Sequence, residues 1–370
     1  MTSAPNIAAT LLLVSLGACS PTWSTSEDSG FRVLMAAPDI AGHGGQRFRV
    51  MVEPDEVAFQ LTAITEATNT AFIHRVQAPD GREVFRASDW WEADRTRTNA
   101  GFSSSVPTLN WPITEADGPL QRGRWVIDVQ AESGDTPLPT EVTLKRDPDL
   151  TSGDLPVMIH IAADLQGNPS FLAGLDVAIQ GWRDIYWAAG ITLTVDTSFY
   201  TGPAILAPPL FGDEDFYDTL SATTPRGVVN VVVASAFEAT AGIYGISGGI
   251  PGPVTASRKS AVAISALEAM GADGALSAID TRILSETLAH EVGHYLGLFH
   301  PVETTFDLFD DLDDTPECAS ESGCTASLGT NMMYPTPTCL SNPCTSDRLL
   351  SQDETTPHQR GVMHRFVGVR

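Results

Sequence analysis

The residues best equipped for chemistry lie in one stretch, His290-Glu-Val-Gly-His-Tyr-Leu-Gly-Leu-Phe-His300. Two histidines four apart on a helix share a face, about 5–6 Å apart at Cβ, so His290 and His294 can reach one small cation. Glu291 is offset around the helix and reaches a water on that cation rather than the cation itself. Gly297 can end the helix in a left-handed conformation and turn the chain back sharply. The turn would bring in His300 as a third nitrogen ligand. Three neutral imidazoles with a fourth position left to water describe a catalytic zinc site rather than a structural one. Zinc lowers the pKa of its bound water to about 7, and Glu291 is the base placed to take the proton. HExxH alone also arises on amphipathic helices whose histidines face solvent. Gly297 and His300 at their spacings make that reading a poor one.

Downstream lie Phe306-Asp-Leu-Phe-Asp-Asp-Leu-Asp-Asp-Thr-Pro-Glu-Cys318, then Gly329-Thr-Asn-Met-Met-Tyr-Pro335. HExxHxxGxxH followed by a methionine turn resembles the metzincin zinc metallopeptidases. Asp310-x-Leu312-x-Asp314-Thr315-Pro316, the Asn331-x-Met333 turn and a closing helix from Thr356 are similar to the pappalysin (cytophagalysin-like) family. The resemblance covers about residues 155–366 and is anchored from 286 onward. It implies an α+β metzincin catalytic domain: a mixed twisted sheet, the zinc helix and a C-terminal helix. It implies a zinc endopeptidase acting on protein or peptide substrates, with an edge strand above the cleft binding extended chains. It makes Met333 a packed floor beneath the ligands, and it implies a preference for Arg just after the cut. Tyr334 is a candidate transition-state donor, although in some metzincins the functional tyrosine lies two residues after the methionine. Asp307, Asp310, Asp311, Asp313 and Asp314 offer hard oxygen ligands that suit Ca²⁺, which the resemblance also implies; their spacing is not that of an EF-hand. The bland alternative is a solvated acidic loop.

Elements must position these residues. The zinc helix is expected from near Asp280, with Leu284, Leu288, Val292 and Tyr295 packing inward while the histidines face the cleft. Upstream, Val157–Ala162, Ile191–Val195, Gly227–Ala234 and Ala261–Ser265 read as strands, with a helix after Pro169 to about Ala189. A last helix follows Thr356-Pro357, with Pro at its first position. Residues 46–146 alternate polar and apolar instead, with strands near 47–52, 56–61, 71–77, 123–131 and 140–144. Turn signals such as Pro79-Asp-Gly81 separate them, which argues for an all-β sandwich. Its Leu120–Val129 segment resembles a bacterial pre-peptidase C-terminal-like sandwich. Trp90, Trp91, Trp111 and Trp125 are expected to fill its core rather than bind carbohydrate. A propeptide, a binding module and a spacer all remain open for this unit. Residues 147–154 read as a linker before the peptidase-like domain at 155–370.

Residues 1–18 carry an apolar run too short to span a bilayer and read as a signal peptide, without Lys or Arg in the leading segment. Leu16-Gly-Ala-Cys19 resembles a bacterial lipobox, so Cys19 is the expected lipidation site and its lipid the only expected membrane attachment. Export to the bacterial outer membrane or cell surface follows, with ordinary secretion as the alternative. Residues 19–45, rich in Ser, Gly and Pro, read as a flexible tether. The other cysteines, Cys318, Cys324, Cys339 and Cys344, make an even set in an exported chain and imply two disulfides, with three connectivities open. A net charge of −25 and only two lysines leave no basic run to neutralise phosphates, which excludes nucleic acid as a partner class. The competing function is a surface adhesin that keeps the fold but is catalytically idle.

Overall fold

The computed structural model describes residues 23–36, 45–66, 69–90, 95–132, 138–207, 215–238, 242–270, 274–340 and 348–370. The signal-peptide residues and Cys19, His43, Trp91 and Cys344 lie outside them. The chain forms a mixed α/β structure built on several sheets and few helices. No helix among the described residues is long and apolar enough to cross a membrane.

The N-terminal unit contains two antiparallel sheets. One has the order β1 (Trp23–Asp28), β2 (Phe31–Ala36), β10 (Thr140–Lys145), β4 (Ala58–Ala63), β8 (Thr108–Trp111); the other runs β3 (Gln46–Val52), β9 (Gly123–Ala131), β5 (Ala71–Gln77), β6 (Glu83–Arg86). Phe48, Val50, Phe59, Leu61, Trp111, Trp125 and Ile127 share one buried cluster. Residues 23–36, inside the segment read as a tether, instead form β1 and β2 and extend the first sheet through β10. Phe31 and Val33 explain why: each is 1% exposed, buried against the second unit rather than left in solvent.

The second unit carries the order β12 (Ile191–Tyr200), β11 (Gly153–Ala162), β14 (Val229–Ala234), β17 (Ala261–Ser265), β16 (Gly245–Ser247). The first four are parallel, and β16 closes the edge antiparallel. The central strands are Val- and Ile-rich and buried on both faces, as parallel strands are. Helix α1 (Pro169–Ala188) starts at Asn168, whose side chain accepts from the Phe171 N–H. It packs Phe171, Leu175, Ile179 and Trp182 into the core shared with α4 (Ala278–Tyr295). Shorter helices are α2 (Asp215–Ser221), α3 (Ala266–Met270), α5 (Glu321–Leu328) and α6 (Pro357–Arg365). Two-residue strands add small sheets: β13 (Ile205–Leu206) with β15 (Ala236–Phe237), and β7 (Arg95–Thr96) with β18 (Phe309–Asp310).

The last of these pairs joins the two units, and so does a buried face. In β4, Phe59, Leu61 and Ala63 point into the N-terminal core, while Ala58, Gln60 and Thr62 point the other way and are also buried. Gln60 donates to Gly252 O at 3.0 Å and accepts from Val254 N at 2.7 Å. Asn110 of β8 likewise pairs with Arg365 O (2.8 Å) and Val367 N (3.2 Å), and Lys145 Nζ donates to His364 O (2.9 Å). Arg226 binds Glu141 across the same boundary. Buried polar groups need such partners, so this face specifies one docking geometry.

Candidate metal centre

Helix α4 begins one turn before the expected cap. Ser277 is the N-cap, and Asp280 closes a capping box from the third helical position. Leu284, Leu288, Val292 and Tyr295 are buried inward. Gly293, between the two helical histidines, has no room for a side chain: a Cβ there would lie 2.6 Å from Met333 Sδ. Gly297 takes φ +109°, a conformation that favours glycine, and the chain doubles back there. Its N–H donates to His294 O, and Leu298 N donates to Gly293 O, which fixes the turn.

The turn delivers His300. His290 Nε2 and His294 Nε2 each stand 3.1 Å from His300 Nε2. Among the described residues this triad is the only set of three or more His, Cys, Asp or Glu whose ligand atoms converge, all within 4.8 Å of one another. Each opposite ring nitrogen is occupied. His290 Nδ1 meets Met332 O at 2.9 Å, His294 Nδ1 meets Leu298 O at 2.7 Å, and His300 Nδ1 meets Glu303 Oε2 at 2.9 Å. These acceptors put the ring proton on Nδ1 and leave the Nε2 lone pairs facing one another, which only a cation makes favourable. Zn–N bonds of about 2.0–2.1 Å in tetrahedral array place nitrogens about 3.3 Å apart, so the donor set fits zinc. Burial pushes His290 down to about 3 and His294 well below its ordinary value, with neighbouring imidazoles adding to the effect. Neutral rings are what a metal requires.

Glu291 lies beside this cage against the edge strand. A Cβ on Gly245 of β16 would come within 2.6 Å of Glu291 Cγ. Burial pushes the carboxyl up to about 8, opposed by a hydrogen bond from the backbone of Ser247. Two cavities meet at His290, Glu291 and Gly245. One, of about 730 Å³, runs past His294 and His300 toward Pro251. The other, of about 250 Å³, runs toward Gly242, Thr287 and Glu286 and is closed by Tyr334–Pro337.

Met333 is fully buried, and its N–H donates to Asn331 Oδ1 at 2.9 Å. Asn331 and Gln359 of α6 exchange two amide hydrogen bonds, at 2.9 and 3.0 Å. Neither this pair nor Glu303 was foreseen from the sequence. An acid three residues after a histidine ligand was the available signal for Glu303. Tyr334 is placed differently from a transition-state donor. Its hydroxyl pairs with Thr325 Oγ1 at 3.1 Å, and its ring joins Val302, Cys324 and Leu328 in a small core.

The five aspartates are not brought together. Asp307, exposed, accepts from Thr305; Asp310, buried, accepts from Thr315; and Asp311 pairs with Arg97 at 3.1 Å. Asp313 is exposed. Asp314 accepts from Thr356 Oγ1 and His358 N, both at 2.8 Å, and so anchors the start of α6. These side chains are engaged in loop and helix contacts, and no three of them bring their carboxylate oxygens together. Cys318 is bridged to Cys324. Cys339 is also disulfide-bonded, while Cys344 lies outside the described residues.

No family model matches the sequence, and no curated protein matches it. Among solved structures, the zinc-dependent peptidase from Methanocorpusculum labreanum aligns over 56% of this chain and 99% of its own, at 10% identity and a TM-score of 0.31. Metalloproteinase-II from Bacteroides fragilis aligns over 52% of this chain and 62% of its own, at 14% identity and a TM-score of 0.28. Myroilysin aligns over 57% of this chain and 92% of its own, at 13% identity and a TM-score of 0.25.

Proposed function

We propose that this protein is a zinc-dependent endopeptidase of metzincin type, similar in its motifs to the pappalysins, with a β-sandwich ahead of the catalytic domain. The observation that carries the reading is the convergence of three Nε2 atoms, each ring oriented by its own acceptor, with one carboxylate beside them. His290, His294 and His300 would hold the ion. Zinc in such a site polarises the scissile carbonyl and acidifies a water. Glu291 takes the proton of the attacking water and passes it to the leaving amine. The backbone of Ser247 donates a hydrogen bond to that carboxylate and favours its charged, proton-accepting form. β16 is the edge strand of its sheet, where an extended peptide would add as a further strand.

The smaller cavity suits the side chain just after the cut. Glu286 lines it, 5% exposed, with Oε1 held by Arg282 at 3.0 Å and a further hydrogen bond from the backbone of Gln352. A basic side chain entering the cavity would meet this carboxylate, in line with the Arg preference that the resemblance implies. Export, a lipid on Cys19 and a bacterial surface location belong to the same proposal and rest on residues 1–19 alone. Calcium binding rests on the resemblance alone.

The test is Glu291→Ala in the full chain. It should retain zinc by metal analysis and lose cleavage of casein by a factor of about 10² or more. Cleavage at the wild-type rate would overturn the mechanism. Zinc bound by the wild type without cleavage across a broad peptide library would favour the idle adhesin.

A further inference from the structure

The larger cavity has two owners. Its floor is the histidine cage and Glu291, and one wall is Gly245–Pro251; the opposite wall is Asn99–Thr108 of the N-terminal unit. This segment is fastened at both ends. Asn99 N donates to Ile250 O at 3.0 Å, tying it to the peptidase-like unit. Ser104 exchanges backbone hydrogen bonds with Ala71 at 2.8 and 2.9 Å, and Ser105 O accepts from Thr65 N at 2.8 Å, tying it to the sheets. Behind it stands the buried face of Gln60, Asn110 and Lys145 described above. The hydrogen bonds of that face and those of the Asn99–Thr108 segment thus hold the wall in one position over the cleft.

The chemistry of the cleft is selective. In a chain of net charge −25, the only ionisable side chains lining this cavity among the described residues, besides the histidines, are Lys259 and Glu291. The N-terminal wall offers serine and threonine hydroxyls and one half-buried ring, Phe102. Because the two cavities meet at Glu291, the wall lies on the other side of the cut from the Glu286 pocket.

We propose that the Asn99–Thr108 segment is a substrate-reading wall, and that Phe102 selects an apolar side chain on the acyl side of the scissile bond of an extended peptide. This rests on the endopeptidase reading. The N-terminal unit is then a permanent part of the active cleft, neither spacer nor removable inhibitor.

The experiment is cleavage profiling of a peptide library by mass spectrometry, with full-length zinc-loaded wild type and Phe102→Ala. The wild type should enrich apolar residues at one acyl-side position. Phe102→Ala should flatten that position, leave the residue after the cut unchanged, and raise KM about ten-fold for a long peptide. The gap between the two enzymes should close when glycine fills the enriched position, because no side chain is left there to read. Should Phe102→Ala fail to fold, Phe102→Leu serves, with a partial shift expected. Superimposable profiles, or an equal loss whatever residue fills that position, would overturn the proposal. A wild type that cleaves nothing would overturn the endopeptidase reading, and this one with it.

Discussion

Glu303 Oε2 sits 2.9 Å from Nδ1 of His300, so the one ligand that lies off the helix is aimed by a carboxylate three residues further on. His290 and His294 are aimed by backbone carbonyls instead. The loop histidine is the ligand whose orientation depends on a replaceable side chain.

Glu303→Ala should therefore weaken zinc binding about 10- to 100-fold while the fold persists, as losing such outer partners does. Competition against a chelator of known affinity measures this. Unchanged affinity would show that the turn at Gly297 alone fixes the ring.

Gly245→Ala should reduce kcat at least about ten-fold with zinc retained. The added methyl would come within 2.6 Å of Glu291 Cγ, so the carboxylate must move from the position where it meets the water. Peptide turnover alongside metal analysis separates this from metal loss, and full activity would mean that Glu291 works from another position.

Tyr334→Phe should change kcat less than about three-fold, because the hydroxyl is spent on Thr325 in a packed cluster. A fall of a hundred-fold in kcat at constant KM would instead assign the phenol to the transition state.

Lys145 provides the pH dependence. Burial pushes its ammonium down to about 8, from 10.5 when unfolded. Between those values the unfolded chain binds more protons than the folded one, so stability rises with pH across that window; below about 8 the cost of the buried charge is felt in full. The gain across the window is about 3 kcal/mol at most. Lys145→Met should abolish this rise in urea midpoints taken from about pH 7 to about pH 10. An unchanged slope would place its origin elsewhere.

Much of the site was legible because its spacings are local. His290, His294 and Gly297 belong to one helix and its end, and helical geometry dictates where they point. Strands β5, β9 and β17 were legible for a similar reason, since their alternation or Val/Ile content is a property of neighbours in sequence. The cap of α4 was displaced because Ser277 and Asp280 both cap well, and the sequence does not say which stands outside. What stayed hidden was the docking of the two units. Gln60, Asn110 and Lys145 are of types that a solvent-facing sheet also carries, so residue type alone does not mark them as an interface. Their partners are backbone groups of Gly252, Val254, Arg365, Val367 and His364, which leave no trace in residue type. The same blindness let β1 and β2 pass for a tether.

The reciprocal amide clasp between Asn331 and Gln359 ties α6 to the very turn that carries Met333, so the sulfur beneath the three imidazoles is held in place by a helix more than fifty residues beyond the last of them.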